Sequence, residues 1–437
     1  MKKIYFLWII ALSHVRADGQ PEKKIDSFMR YCQTQLGYNG VVLIADRNKV
    51  IYERAFGKAN RETNIDNSLD TKFRLGSISK QFTAFLILQQ VEEKRLSLND
   101  RVADFLPAFD QDGKRDVRIF HLLTHTSGLA DYTNLKQFNE QVVNSKDSII
   151  HLIASAPLSF NPSSAYSYSN SNFYLLAEIV EKITGRRFSE ALNEMITKKA
   201  AMTNSGEEEE QSVQNEAKGY ITQNGKTIPA PFIDMQNTKG GGGMYGTAGD
   251  LLNWSLFFQS KLTSDTVLKN ALQPFRLSDE TTTIYACGWC LMPDVIFHTG
   301  HINGFANLIA IDTIHQYTIV LLTNNSYHQL YVTMQSLRSI LNNQVPRIGP
   351  KSIRGMGNLS DYSGQYSDGK ITVTIKDTLD CIQGTAFGQS QLLRPYTKDE
   401  FYFLDSEAIV KFERDPRGQV IALHSFQDYY WTTLKKQ

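Results

Sequence analysis

Apolar positions recur along the chain with two different periods, and the change between them divides it. Ile25, Phe28, Met29, Cys32 and Leu36 share one face of a helix that Gly37 closes. Val41–Ala45 and Val50–Phe56 are β-rich runs joined by Asp46-Arg47-Asn48, the pattern of a hairpin. Phe82, Phe85 and Leu86 then give helical spacing to a segment running from Ser77 to Glu93. Leu96–Leu106 leads into a short helix that stops at Pro107, and part of Tyr132–Ile153 is helical. Helices are also predicted over Asn172–Thr184, closed by Gly185, and over Ala248–Gln259. Trp289–Met292, Val295–Thr299, Phe305–Asp312 and Thr318–Thr323 read as consecutive strands, followed by a helix over Tyr327–Asn342.

Beyond Asn343–Gly357, which carries Pro346, Gly349, Pro350 and Gly355, the helical period disappears. Eight short β-rich runs follow: Gly364–Tyr366, Ile371–Ile375, Cys381–Ala386, Gln391–Tyr396, Glu400–Leu404, Ala408–Glu413, Val420–Phe426 and Tyr430–Leu434. Their regular spacing predicts a small antiparallel barrel. The expected organisation is a leader over 1–17, a mixed domain over 18–345, a linker over 346–360 and a β module over 361–437.

At 437 residues the chain exceeds one ordinary domain. Lys+Arg (46) and Asp+Glu (45) nearly balance to a net charge of +1, which argues against a nucleic-acid or anionic-membrane surface. Lys2 and Lys3, the apolar run Ile4–Leu12 and Val15-Arg-Ala17 make an export signal with a cleavage site, so a periplasmic or secreted mature chain beginning near Asp18 is expected. The run is too short for a stable membrane anchor, and no other run approaches membrane length. Four cysteines (Cys32, Cys287, Cys290, Cys381) in an exported chain can pair, but spacing does not give connectivity. Cys287-Gly-Trp-Cys290 lacks the second pair that a zinc site needs. His121 and His125 stand at i, i+4 without an acidic partner at metalloprotease spacing, and read as buried hydrogen-bonding histidines. Glu207–Glu210 reads as a solvated acidic loop. Gly240–Gly243 lets the backbone pass close to something, without a phosphate-loop spacing.

Three polar clusters carry candidate chemistry. Ser77 and Lys80, three apart at a helix start, put a hydroxyl, an amine and free backbone N–H groups on one face. Tyr168-Ser-Asn170 offers a phenol able to pass a proton and an amide for a substrate carbonyl. His298-Thr299-Gly300 places imidazole and hydroxyl donors beside a glycine that admits a substrate backbone.

Ser-x-x-Lys, Tyr-x-Asn and a later x-Thr-Gly, in that order, make the chain resemble the serine β-lactamase and penicillin-binding-protein superfamily, most closely its class C-like branch. Phe73-Arg-Leu-Gly-Ser77, His121-Leu-Leu-Thr-His-Thr-Ser-Gly-Leu129, the stretch 168–176, Gly243–Trp254 and His298-Thr-Gly-His-Ile-Asn-Gly-Phe305 support the resemblance, which spans about residues 20–345. It implies an α/β fold: an antiparallel sheet flanked by helices, an all-helical subdomain, and the site between them. It further implies that Ser77 is the acylated nucleophile, that Lys80 assists its deprotonation, and that Tyr168 is general base and later acid. Asn170, His298, Thr299, Gly300 and His301 would bind substrate, with the backbone N–H groups of Ser77 and His301 as oxyanion donors. No metal or organic cofactor is implied, and the partner is a small-molecule or peptide substrate: a D-amino-acid peptide, a cell-wall stem, a β-lactam or a small ester. The β module is similar to the lipocalin-like appendage of some members. His298 departs from the usual lysine, and a mostly neutral imidazole suits a substrate carboxylate poorly. The competing expectation is an inactive relative that binds peptidoglycan or a protein partner.

Overall fold

The structure, a computed structural model, describes residues 20–208, 213–223, 225–278, 282–348, 358–378, 381–395, 397–403, 409–427 and 430–437. The expected leader and most of the expected linker lie outside these residues. No described helix is long and apolar enough to cross a membrane.

A seven-stranded sheet organises the first part of the chain. Its order is Tyr285–Ala286, Trp289–Met292, Val295–Ile302, Phe305–Asp312, Tyr317–Thr323, Gly40–Asp46 and Lys49–Phe56, antiparallel throughout. The predicted hairpin thus pairs with the last of the predicted strands, and the chain closes on itself. Phe305–Asp312 and Tyr317–Thr323 are buried at every position, so both faces of the sheet are covered. Gln20–Leu36 packs on Leu330–Leu341 and on Lys49–Phe56, while Ala248–Ser264 packs on Tyr317–Thr323 and Gly40–Asp46.

The Ser79–Glu92 helix departs from its expected one-sided stripe and is buried on nearly every side. It meets Asn170–Thr184 of the helical subdomain on one flank and the Ala248–Ser264 helix on another. There Phe82 stacks on Trp254 at 4.3 Å, and Trp254 Nε1 donates to Gln81 Oε1 at 3.0 Å. A helix apolar all round belongs in an interior. Whatever polar group it carries is therefore placed by packing from several directions.

The last eight strands, from Gly364–Ser367 to Tyr430–Lys436, form a closed antiparallel barrel, sealed where Tyr366 pairs with Lys436 and Ser367 with Lys435. Tyr362, Tyr366, Ile375, Phe401, Phe412 and Leu423 are buried together inside it. Eight strands leave room either for such side chains or for one small ligand, and here side chains take the space. From the outer face of the barrel, Tyr402 and Ile409 join the core of the main body, and Arg347 reaches Glu400 at 3.7 Å. All four cysteines are free and buried.

Candidate active site

Ser77 lies in a 3-10 turn, Gly76–Ile78, immediately before the Ser79–Glu92 helix, so the helix begins two residues later than predicted. The turn is held from three sides. Ser79 Oγ donates to Gly76 O at 2.7 Å and accepts from Met244 N–H at 3.1 Å. Leu75 N–H donates to Met244 O at 2.7 Å, and Asn307 Nδ2 donates to Arg74 O at 2.8 Å. A three-stranded sheet of Phe73–Arg74, Met244–Gly246 and Gly206–Glu207, which no alternation in the sequence announced, fixes this approach.

Two glycines let the turn lie flush on the Val295–Ile302 strand. Gly76 adopts φ +56°, and a Cβ there would fall 2.9 Å from the backbone of His301. At Gly300 a Cβ would fall 2.0 Å from Leu75 O. No side chain fits either place, and without the contact Ser77 and the His301 backbone would not share one wall.

Lys80 is fully buried. Its Nζ donates to Ser77 Oγ at 3.1 Å, Asn170 Oδ1 at 2.8 Å and Gly241 O at 2.7 Å. The Gly240–Gly243 stretch therefore passes close to the amine, and one of its carbonyls holds it. Burial pushes the ammonium down to about 7 from an ordinary 10.5, against the negative charge of Asp131, which favours it. Asn170 opens the Asn170–Thr184 helix, two residues earlier than predicted. The Tyr168 ring lies 4.9 Å from Lys80 Nζ and packs, tilted by 36°, at 4.3 Å from the His125 ring.

His298 is also fully buried. Its Nε2 meets Tyr285 Oη at 3.1 Å and its Nδ1 meets Thr299 O at 2.5 Å. Burial takes the imidazole down to about 3, with Lys80 pushing the same way, so it stands neutral in the wall. Thr299 is buried beside it, whereas His301 is exposed at the end of the strand.

The two other histidines are hydrogen-bonded as their spacing suggested. His121 Nδ1 accepts from Arg118 N–H at 2.9 Å, and its Nε2 meets Ser163 Oγ at 2.8 Å. His125 Nδ1 accepts from Ser169 N–H at 3.2 Å and meets Asn172 Nδ2 at 3.0 Å, which places its own hydrogen on Nε2. His125 thereby fixes the Tyr168–Asn170 loop from behind. Among the described residues no cluster of three or more His, Cys, Asp or Glu is arranged to hold a metal ion.

The acidic run corrects one expectation. Glu207 Oε1 accepts from Gly240 N–H at 3.0 Å, and Glu208 pairs with Arg74 at 2.9 Å, so these two carboxylates pin the strand and loop around the site instead of facing water. Residues 209–212 lie outside the described ones.

A buried amine on a serine hydroxyl, backed by an amide and a phenol, has the arrangement needed for acyl transfer. The sequence pattern of the family described as Beta-lactamase matches residues 24–337. The chain belongs to the beta-lactamase family. It is similar to penicillin-binding protein 4* of Bacillus subtilis (strain 168), at 27% identity over 310 residues, covering 66% of this chain and 68% of that protein. It is also similar to Protein flp of Staphylococcus aureus (strain NCTC 8325 / PS 47), at 26% over 329 residues, covering 71% of this chain but only 64% of that one. The fold of the octameric penicillin-binding protein homologue from Pyrococcus abyssi covers 95% of this chain and 98% of its own, at a TM-score of 0.68 and 20% identity. That coverage extends the shared architecture of this beta-lactamase-family chain into the β-barrel.

Sequence patterns thus brought together Ser77, Lys80, Tyr168, Asn170, Gly300 and His301. They pointed to a close approach by Gly240–Gly243 without saying to what, and they missed Tyr285 and Asp131. Gly241 acts through a backbone carbonyl, and Tyr285 and Asp131 lie outside the three motifs and reach the site by contacts with His298 and Asn170, so no motif spacing marks them.

Proposed function

We propose that this protein is an exported serine hydrolase that opens an amide or ester bond through a Ser77 acyl-enzyme. The observation that carries the reading is the surroundings of Lys80 Nζ. Two of its three contacts, Asn170 Oδ1 and Gly241 O, can only accept. Once neutral, the amine keeps its two hydrogens on those oxygens and turns its lone pair to Ser77 Oγ–H, 3.1 Å away. With an ammonium held near 7, much of the enzyme stands in that state at neutral pH.

Ser77 Oγ then bonds to the substrate carbonyl carbon while its proton moves to Lys80, whose lone pair takes the general-base role that the resemblance gives to Tyr168. The oxyanion lies against the backbone N–H groups of Ser77 and His301, two surfaces that Gly76 and Gly300 hold in contact. As the C–N or C–O bond breaks, Tyr168 gives its proton to the leaving group and regains one from Lys80. Water reverses the sequence and frees the acid.

The neutral His298 bears on substrate class. With that position uncharged, the cleft suits a neutral amide or ester better than a terminal carboxylate. Small esters and amides of D-amino acids head the substrate list, with a penicillin as a slow acylating agent, the last supported by the names of the relatives.

The test is p-nitrophenyl ester hydrolysis and labelling by a fluorescent penicillin or phosphonate, on wild type and Ser77→Ala. Both signals should vanish in the variant. Normal turnover by Ser77→Ala removes the assignment, and a wild type that takes no label and turns over no ester points to a binding role.

A further inference from the structure

Asp131 belongs to none of the motifs, yet it is tied to the heart of the site. Its Oδ2 accepts from Asn170 N–H and from Asn170 Nδ2, both at 3.0 Å, and its Oδ1 accepts from Thr133 N–H at 3.0 Å and Thr133 Oγ1 at 2.8 Å. The backbone on either side is fastened to the same helix start. Tyr132 N–H donates to Ser171 Oγ at 2.9 Å, and Ser171 Oγ donates to Ala130 O at 2.6 Å. Ser127 Oγ donates to Asn172 Oδ1 at 2.7 Å. A carboxylate so bracketed cannot swing away.

The Asn170 amide is nearly symmetric in shape, so sterics allow either orientation. Charge decides between them. Turned round, its NH2 would face the Lys80 amine and its oxygen the Asp131 carboxylate, two repulsive contacts in place of the two attractive ones observed. The carboxylate therefore stands one amide group from Lys80 Nζ.

We propose that Asp131 is a positioning residue for the Ser77–Lys80 pair: it locks the Asn170 amide with Oδ1 toward Lys80 and sets a fixed negative charge one amide beyond the amine. This rests on the reading of Ser77 as nucleophile. The lock aims the amine's lone pair at Ser77, and the charge opposes the burial that drives the amine toward neutrality. Among the described residues, His125, His298 and Tyr168 are the other ionisable groups beside Lys80. Burial holds both imidazoles uncharged, so Asp131 supplies the compensating charge.

A purely structural Asp131 would cap the Asn170–Thr184 helix and nothing more. The two roles separate in the pH profile of kcat/KM for p-nitrophenyl acetate, measured on wild type, Asp131→Asn, Asp131→Glu and Ser77→Ala, with melting curves alongside. Losing the negative charge makes Lys80 easier to deprotonate. The acid limb of Asp131→Asn should move to lower pH by on the order of one unit, and kcat should drop about tenfold as the amide loses its aim. Asp131→Glu keeps the charge, so its acid limb should stay at the wild-type position while kcat falls. A folded Asp131→Asn with a lower melting point but a superimposable acid limb overturns the proposal. If Asp131→Asn does not fold, an Asp131→Glu profile identical to wild type in both limb and kcat overturns it. Activity surviving in Ser77→Ala would instead overturn the underlying site assignment.

Discussion

Replacing Lys80 by Met should separate what the amine does for chemistry from what it costs the fold. In the folded chain Lys80 titrates near 7, while in the unfolded chain it returns to the ordinary 10.5. At about 1.4 kcal/mol per pH unit, that gap costs about 5 kcal/mol of stability at and below pH 7, and the cost shrinks to nothing as pH approaches 10.5. Between these two values the unfolded chain binds one more proton than the folded chain. Wild-type stability therefore rises with pH across this window, gaining about 1.4 kcal/mol per unit over Lys80→Met, which has no such group. The variant also strands Asn170 Oδ1 and Gly241 O without their donor, at about 1–3 kcal/mol each. That loss is independent of pH, so it displaces the two curves without changing their slopes. Urea unfolding of both proteins at pH 6.5, 7.5, 8.5 and 9.5 reads the slope directly, and ester turnover should be absent from Lys80→Met throughout. Parallel stability curves would mean that the buried amine carries its charge at every pH tested. The general-base role assigned to it would then fail.

Two further substitutions test other parts of the site. Gly300→Ala puts a methyl group 2.0 Å from Leu75 O, so the strand and the Ser77 turn must part by more than an ångström. We expect kcat/KM for ester hydrolysis to fall about 10²-fold with about 1–3 kcal/mol lost from thermal stability, and wild-type turnover would show that the wall tolerates separation. His298→Ala removes the Tyr285 Oη–His298 Nε2 hydrogen bond, costing about 0.5–1.5 kcal/mol in denaturant unfolding. Because burial keeps His298 neutral above about 3, the pH–rate profile between 5 and 8 should keep its shape, and a displaced acid limb would show that the imidazole carries charge.

The fold was legible wherever period or turn chemistry dominated. Phe305–Asp312 and Trp289–Met292 emerge at their predicted bounds because apolar runs there are flanked by turn residues. The eight barrel strands were likewise countable from their spacing. Element ends shifted where tertiary contacts extend a helix, as at Asn170, whose N–H is taken by Asp131 across the site. Segments of two or three residues, such as Phe73–Arg74 and Gly206–Glu207, carry too little pattern to read and exist only because Met244–Gly246 lies between them.

The site was legible as residue types in order, but its electrostatics were not. Nothing in Ser-x-x-Lys says that the amine is fully buried, or that a glycine carbonyl and an asparagine oxygen fix its hydrogens. His298 looked like a substrate donor by position, yet Tyr285, two strands away in the sheet, meets its Nε2. Glu207 and Glu208 looked solvated by composition, and long-range contacts with Gly240 and Arg74 draw them inward. In each case the deciding partner lies outside the motif that carries the residue.

The central claim is a covalent bond to one hydroxyl, and trapping tests it most directly. Wild-type protein treated with a slow phosphonate ester, digested and mapped by mass spectrometry should carry a single adduct on the peptide containing Ser77, absent from Ser77→Ala. An adduct on another residue, or ester turnover by a protein that takes no adduct at Ser77, would contradict it.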